Sequence, residues 1–196
     1  MDEQFKNKCS STAKTIADNA VSANQAYAIF KQLWNLGSTE IDIFNISPVF
    51  YGSVINNCIQ VLIIEINKMF DPDPKSIGVY GLLNKMKSGI NQLKSKESEE
   101  TIETVEFLKF WDNTGYCITF SNLEELIEES LEEIASNKGI IDKIKVLRDQ
   151  YYAHFDSRIK DYDELFSETA ITYSNLEQLL LLNINLCNRL YYFFYE

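Results

Sequence analysis

The chain has 196 residues, of which 45% are hydrophobic and 13% aromatic. This composition argues against a disordered chain, and the length fits a single domain, residues 1–196, with a sizeable buried core. The net charge of −11 argues against a protein whose whole surface binds nucleic acid, so such binding would need a local patch.

The cysteine and histidine content bears on metal binding and on the cellular compartment. The four cysteines form no CxxC pair, and with one histidine in the chain they do not make a conventional zinc site. We therefore expect no metal, no cofactor, and free thiols in a reducing cytoplasm. The cysteines are Cys9, Cys58, Cys117 and Cys187.

The start of the chain and its apolar stretches give no sign of membrane insertion. No basic segment followed by an apolar run opens the chain, so no signal peptide is expected. The longest apolar cluster, residues 59–66, contains Gln60 and Glu65 and is too short to span a bilayer. These features predict a cytoplasmic protein that does not bind a membrane.

The first predicted helix covers residues 11–36. Apolar side chains recur in it at steps of three and four, which places them on one face, and Gly37 and Ser38 are expected to end it. The residues of this face are Ala20, Ala23, Tyr27, Phe30 and Trp34.

Residues 41–46 alternate like a strand, but with no partner strand they are expected to form a connector. Ser47 and Pro48 then open a second helix that runs to Phe70. This helix is apolar nearly all round, which predicts a place at the centre of the bundle. The segment 71–74 has the sequence Asp-Pro-Asp-Pro and ends the helix, and ordinary turn chemistry explains its carboxylates better than a metal loop does.

The second half of the chain continues the helical pattern. After a short helix from Ser76 to about Gly89, the polar segment 94–100 predicts an exposed linker and 101–112 a further helix. Ser121 with Glu124 predicts a capping box, followed by six glutamates on a solvated face. A regular apolar pattern then runs from residue 140 to 155, and residues 161–172 are expected to form a polar loop. Ser174-Asn175 is expected to cap a last helix. The aromatic end of this helix is expected to pack on the first helix or on a second copy of the chain. The predicted fold is all-α, an antiparallel bundle of about five to seven helices.

Arg148 and His154, the only histidine, flank the apolar stripe of residues 140–155. On an ideal helix they lie about 120° and about 9 Å of rise apart, on opposite edges of the stripe. Within one straight helix the two side chains therefore do not touch. They would act together only if the helix ended before His154 or if a partner helix supplied the complement.

The stretch from residue 138 to 160 is locally basic. Six basic and three acidic residues give it a net charge of +3, against −14 for the remainder of the chain. A polyanion repelled elsewhere would find its most favourable surface here. Lys145 and Arg158 belong to this stretch.

The segment 147–156, with Arg148 followed after five residues by His154, resembles the HEPN domains, and the Ala before the His and the Asp two after it resemble their AbiU-type (abortive infection) branch. The apolar run 61–71, followed by Lys75-Ser76-Ile77, is similar to that branch too. The resemblance covers roughly residues 34–155. It implies an HEPN-like helical bundle that forms a homodimer and cleaves RNA without a metal, in bacterial defence or as a toxin.

The resemblance implies catalytic roles for Arg148 and His154. A histidine titrates near the working pH and can move the protons of the reaction, and an arginine can hold phosphate oxygens. Asp149 stands where the family commonly has asparagine, and we expect its carboxylate to pair with Lys145, one helical turn earlier. Tyr152 is expected to pack, or to donate a hydrogen bond to a phosphate. Lys145 and Arg158 are expected to support RNA binding.

Other interpretations of the same residues stay open. His154 and Arg148 would be structural in a catalytically silent helical dimer that binds a protein, such as a nucleotidyltransferase-type partner or an antitoxin. The acidic surface and the aromatic tail favour this alternative. A third alternative, small-ligand binding within the bundle, has no set of residues in the sequence to support it.

Overall fold

The computed structural model describes residues 2–73, 75–93, 108–111, 117–149, 167 and 169–195. Within these residues the fold is all-α, as predicted, apart from one short antiparallel hairpin. The described residues form eight helices, one more than the upper end of the predicted range, and six of them have ten residues or more. The elements are α1 (Glu3–Thr39), α2 (Ile41–Ile46), α3 (Pro48–Phe70), α4 (Val79–Ser88), α5 (Ile90–Leu93), β1 (Leu108–Trp111), β2 (Cys117–Phe120), α6 (Leu123–Ser136), α7 (Lys138–Leu147) and α8 (Tyr173–Tyr195).

Helix α1 is longer at both ends than its apolar pattern predicts. It begins at Glu3 because the Asp2 carboxylate accepts hydrogen bonds from the backbone N–H groups of Gln4 and Phe5. Gly37 does not end it: the helix continues to Thr39, whose hydroxyl donates to a backbone carbonyl of the last turn. The apolar face is otherwise as predicted, except that Trp34 is 52% exposed.

Residues 41–46 form helix α2, so the prediction of a connector was wrong. Helix α3 has the predicted bounds, but only its second half is central. Val49 and Phe50, in its first turn, are 80% and 60% exposed, whereas Leu62 and Ile63 are fully buried. By length and composition alone, α3 is the one described helix that meets the criterion for crossing a membrane, and core helices of globular proteins meet the same criterion.

A β-hairpin replaces part of a predicted helix. Of the predicted helix 101–112, the structure describes residues 108–111, and these form strand β1, which pairs antiparallel with β2 in the register Leu108 to Phe120 and Trp111 to Cys117. Two of the four residues of β1, Phe110 and Trp111, are aromatic, as strands prefer, and a partner strand follows within ten residues. The pairing, rather than the local apolar spacing, decides the conformation of this segment.

Two helix caps differ by one or two residues from the predictions. The N-cap of α6 is Asn122, whose side chain accepts from the Glu125 N–H at 3.0 Å, and the Glu125 carboxylate in turn accepts from the backbone N–H and the hydroxyl of Ser121. These hydrogen bonds lower the pKa of the Glu125 carboxyl. Helix α8 begins at Tyr173, with the Thr172 hydroxyl accepting from the Asn175 N–H. A capping box, in which the cap residue and a glutamate bond to each other's backbone N–H, was predicted for α6. The predicted capping residues, Ser121 in α6 and Ser174-Asn175 in α8, were wrong.

The chain divides into two compact units. Unit 1 contains Met1–Asp18, Lys68–Gly139 and Leu181–Glu196, and unit 2 contains Asn19–Asn67 and Ile140–Leu180. The prediction of one domain over residues 1–196 stays a prediction.

In unit 1, α4 packs on α6, and the aromatic end of α8 lies against the start of α1. Packing on the first helix was one of the two predicted alternatives, the other being packing on a second copy of the chain. The Tyr195 hydroxyl donates to the Ser10 carbonyl at 3.1 Å, and the Tyr191 and Tyr195 rings stack. The unit 1 core is formed by apolar residues that include Ile16, Met69, Leu82, Leu83, Met86, Phe120, Leu126, Ile127 and Leu186.

In unit 2, α1 and α8 are joined by a polar group of three side chains. The Lys31 ammonium lies 3.1 Å from the Glu177 carboxylate, and Tyr27 donates a hydrogen bond to the same carboxylate. Burial and this bond raise the pKa of Tyr27 to about 12, while the Tyr27 and Lys31 bonds lower the pKa of Glu177. The unit 2 core includes Ala23, Phe30, Leu62, Ile63, Ile66, Ile144, Leu147, Leu176 and Leu179.

The turn after α3 is made by its two aspartates. The Asp71 carboxylate accepts from the Asp73 N–H at 3.1 Å, and the Asp73 carboxylate accepts from the Lys75 N–H at 2.8 Å. Both are local turn bonds, as predicted. Gly78 then returns the chain so close to the end of α3 that a Cβ at this position would lie 2.3 Å from the Lys68 carbonyl oxygen.

Candidate functional site

Helix α7 positions the candidate site in unit 2. Its apolar face is held by Ile144 and Leu147, which are 1% and 0% exposed, while Lys143 and Lys145 are exposed. The α-helix ends at Leu147, and the backbone continues in a wider π-helical turn at Arg148 and Asp149. Such turns interrupt the regular α-helical spacing and are frequent at functional sites.

The widened turn changes the predicted geometry of the site. Placing Arg148 and His154 on opposite edges of one stripe assumed 100° of rotation for every residue from 140 to 155. Arg148 and Asp149 depart from that rotation, because a π-helical turn contains more residues than an α-helical one. His154 lies outside the described residues, so its angular separation from Arg148 stays a prediction.

Arg148 is half-buried and is bound by its neighbour in the chain. Its Nε donates to Asp149 Oδ1 at 2.7 Å, and its Nη2 donates to the same oxygen. The side chains are 26% and 44% exposed. The prediction that Asp149 pairs with Lys145 was therefore wrong, because the widened turn brings the carboxylate to the guanidinium instead.

The ion pair has a direct chemical consequence. A guanidinium carries five N–H donors in a plane, and two of these now go to a carboxylate oxygen. A phosphate that approached Arg148 would meet the negative charge of Asp149 beside the cation. Since the pair is partly exposed, its net strength is modest, about 0–1 kcal/mol, and a multiply contacted anion can displace the carboxylate.

The other predicted site residues, Tyr152, His154 and Arg158, lie outside the described residues. Their predicted roles stay predictions. Of the six predicted residues, the structure therefore brings together Arg148 and Asp149 and places Lys145, exposed, one turn before them on α7.

The described part of the chain contains no group of three or more His, Cys, Asp or Glu side chains placed to hold a metal ion. Cys9, Cys58 and Cys187 are buried free thiols. Burial raises the pKa of all three, and that of Cys187 to about 12. A thiol with so high a pKa is a poor nucleophile and a poor metal ligand at neutral pH.

Sequence reasoning missed a second arginine, Arg189 of α8, which is 4% exposed in unit 1. Its Nη1 donates to Ser130 Oγ at 3.2 Å and its Nη2 to Glu133 Oε1 at 2.7 Å, and the guanidinium lies 5.4 Å from the centre of the Phe120 ring. These contacts join α8 to α6 and to the hairpin. Its position between Leu186 and Leu190 in an apolar stripe was the available signal, because an arginine there needs buried partners.

Comparisons with known proteins bear on the identity of the chain. Residues 7–194 match the family model HEPN_AbiU2, described as AbiU2. The match therefore extends well beyond residues 34–155, which the sequence resemblance covers. Neither the curated proteins nor the solved structures gave a match.

Proposed function

The chain belongs to the AbiU2 family of HEPN domains, and from this membership we propose that it is a metal-independent endoribonuclease of bacterial defence or a toxin. Membership is the observation that carries the proposal. The position of Arg148 supports it: the side chain is half-buried, follows a helix anchored by Ile144 and Leu147, and lies in the chain's basic stretch. A phosphate-binding arginine needs such a fixed backbone and a positive surrounding field.

The proposed reaction is a transfer within the RNA strand. A base takes the proton of a ribose 2′-hydroxyl, the 2′-oxygen bonds to the adjacent phosphorus, and the bond from phosphorus to the 5′-oxygen breaks as an acid protonates that oxygen. His154 serves one of these proton transfers, since histidine titrates near neutral pH. Arg148 offsets the charge that develops on the phosphate oxygens. The products are a 2′,3′-cyclic phosphate and a 5′-hydroxyl.

A homodimer belongs to the proposal, with two copies of the Arg148 and His154 segment completing one site. An exposed apolar surface in unit 2 supports it: Ile41, Ile46, Val49 and Phe50 are 59%, 82%, 80% and 60% exposed. A soluble chain rarely leaves such a surface uncovered. The sequence has no lysine or arginine from residue 32 to 67, so this surface suits a second apolar surface better than anionic lipid or RNA.

The experiment for the proposed activity uses the purified chain and single-stranded RNA in the presence of EDTA. We expect cleavage with a 2′,3′-cyclic phosphate end, and a loss of about 100-fold or more for His154→Ala and for Arg148→Ala. Lys143→Ala, an exposed substitution in the same basic stretch and outside the predicted site, is the matched control and should lose far less. Undiminished cleavage by His154→Ala would contradict the proposed mechanism.

A second function is favoured by one observation, the Asp149 carboxylate bound to Arg148. A guanidinium held in this way fits a catalytically silent dimer that binds a partner protein, such as a nucleotidyltransferase-type protein or an antitoxin. Expression in a bacterial host separates the two functions. The active nuclease should slow growth and its His154→Ala variant should not, whereas a silent module should affect growth in neither form. A cytoplasmic location, where RNA is available, belongs to both proposals.

A further inference from the structure

Unit 1 contains an open cleft of about 800 Å³ between the start of α1, the turn after α3, and α4. A volume of this size lies in the range of sites for small molecules, about 300–1,000 Å³. The cleft is formed by unit 1 residues only, and no residue of the Arg148 segment lines it. Ligand binding there therefore does not depend on the proposed cleavage of RNA.

Three lysines from three different elements line the cleft: Lys8 of α1, Lys75 of the turn, and Lys85 of α4. No aspartate or glutamate is among the described residues of its wall, although the chain as a whole carries a net charge of −11. A cleft lined by one sign of charge concentrates the electrostatic field and attracts the opposite ion. The wall of the cleft thus carries three positive charges, and the nearby carboxylates of Asp71 and Asp73 accept hydrogen bonds from the backbone of the turn.

The three ammonium groups have no carboxylate partner within the described part of the chain. Two other lysines do have such a partner: Lys87, two residues after Lys85, pairs with Glu128 at 3.4 Å, and Lys31 pairs with Glu177 at 3.1 Å. Uncompensated like charges in one cleft repel one another, so a bound anion would relieve this repulsion.

The Cys9 thiol provides an independent sign that two of these lysines converge. Burial raises the pKa of Cys9, and the positive charges of Lys85 and Lys8 both oppose that rise. The charges of Lys8, the neighbour of Cys9 in α1, and of Lys85 in α4 therefore both act on this sulfur atom. Lys85 also lies 5.7 Å from the centre of the Phe5 ring, which fixes the direction of its side chain.

The other polar groups of the cleft determine which kind of anion fits. The Thr12 hydroxyl donates to the Lys8 carbonyl at 2.8 Å, the Asn84 amide to the Tyr80 carbonyl at 2.9 Å, and the Ser88 hydroxyl to the Lys85 carbonyl at 2.9 Å. Because these donors are engaged within their own helices, recognition must come mainly from the ammonium charges. The ligand should therefore be defined by its number of negative charges rather than by sugar hydroxyls.

We propose that this lysine cleft binds an oligophosphate, a run of two or three linked phosphates, on Lys8, Lys75 and Lys85. Such a group carries about three to four negative charges within a few ångströms and matches three ammonium groups. The same chemistry occurs in inorganic triphosphate and in the triphosphate tail of a nucleotide. The Ile77 side chain and the aromatic ring of Tyr80 would contact the base in the second case only.

The test is calorimetric titration of the full chain at low salt with inorganic triphosphate, ATP, AMP and a single-stranded RNA 12-mer. Inorganic triphosphate and ATP should bind, and AMP should bind at least about tenfold more weakly. Tighter binding of ATP than of inorganic triphosphate identifies a nucleotide as the ligand, and equal binding identifies the phosphates alone. RNA binding without triphosphate binding would overturn the proposal.

Substitutions connect the binding to the cleft. Lys75→Gln should weaken triphosphate binding about tenfold, as should Lys85→Gln. Lys87→Gln, on the same helix but paired outside the cleft, is the matched control and should bind like the unchanged chain. If Lys85→Gln unfolds because its contact with Phe5 is lost, Lys75→Gln, whose side chain lies on the turn, decides the question. Unchanged binding by Lys75→Gln would overturn the proposal.

Discussion

Asp149 holds the guanidinium of its neighbour Arg148, with Nε donating to Oδ1 at 2.7 Å. The pair lies in the π-helical turn that follows α7. The carboxylate therefore competes with any phosphate for the arginine on which the proposed activity depends. Asp149 is therefore predicted to limit RNA binding. A helical wheel had instead paired its carboxylate with Lys145.

Asp149→Asn should strengthen RNA binding by about threefold and raise the cleavage rate at low RNA concentration by a similar factor. The substitution removes the competing charge, keeps the shape of the side chain and restores the asparagine common in the family. Fluorescence anisotropy with a labelled RNA measures the affinity. Asp142→Asn, an exposed position on the same helix, controls for the general change in charge and should have a smaller effect. Weaker RNA binding by Asp149→Asn would indicate that the carboxylate positions Arg148 rather than competes for it.

Arg189 should contribute to folding through its shape more than through its charge. Arg189→Met keeps most of the buried volume, and the Glu133 carboxylate that it leaves behind is 38% exposed and can bond to water, so we expect a loss of about 1 kcal/mol in unfolding free energy. Arg189→Ala also opens a cavity, and we expect a loss of about 3 kcal/mol. Urea unfolding measures both. As a control, Lys87→Ala, which breaks an exposed pair, should change stability by less than about 0.5 kcal/mol. Equal losses of unfolding free energy for the two Arg189 variants would contradict the prediction that shape contributes more than charge.

Glu177 should make the fold sensitive to acid. Its pKa is lowered in the folded protein by the bonds from Tyr27 and Lys31, so it contributes stability above its ordinary pKa of 4.5, and this stability is lost as pH falls through the lower, folded pKa. Glu177→Gln should therefore be less stable than the unchanged chain at neutral pH and should lose less stability on acidification. Tyr27→Phe, which removes the first bond, should behave in the same direction. Urea midpoints measured from pH 7 to pH 3 test this, and parallel curves for Glu177→Gln and the unchanged chain would refute it.

Cys187 should be unreactive in the folded protein. Burial raises the pKa of its thiol to about 12, so the reactive thiolate is scarce at pH 8. The thiol also donates to Asn183 Oδ1 at 3.4 Å. Iodoacetamide labelling followed by peptide mass spectrometry should show little modification of Cys187 in buffer and full modification in urea. Rapid labelling of the folded chain would show that this part of α8 opens readily.

The sequence alone determined the all-α class, the bounds of α3, the turn chemistry of Asp71 and Asp73, and the family. These features depend on local interactions: apolar periodicity, proline, and carboxylates within reach of the next backbone N–H groups. The family motif is also local, since Arg148 and His154 are close in the chain. For such features the residues involved are neighbours in sequence, so a pattern can show them directly.

Only the tertiary structure decided the features that depend on distant residues. Strand β1 requires a partner strand, and the burial of Arg189 requires Ser130 and Glu133 of another helix. The exposure of Val49 and Phe50 depends on which side of α3 its neighbours cover. The lysine cleft joins residues from three elements that no spacing rule relates. Asp149 and its partner lie where the backbone departs from α-helical geometry. A periodicity argument assumes α-helical geometry and therefore cannot predict such a departure.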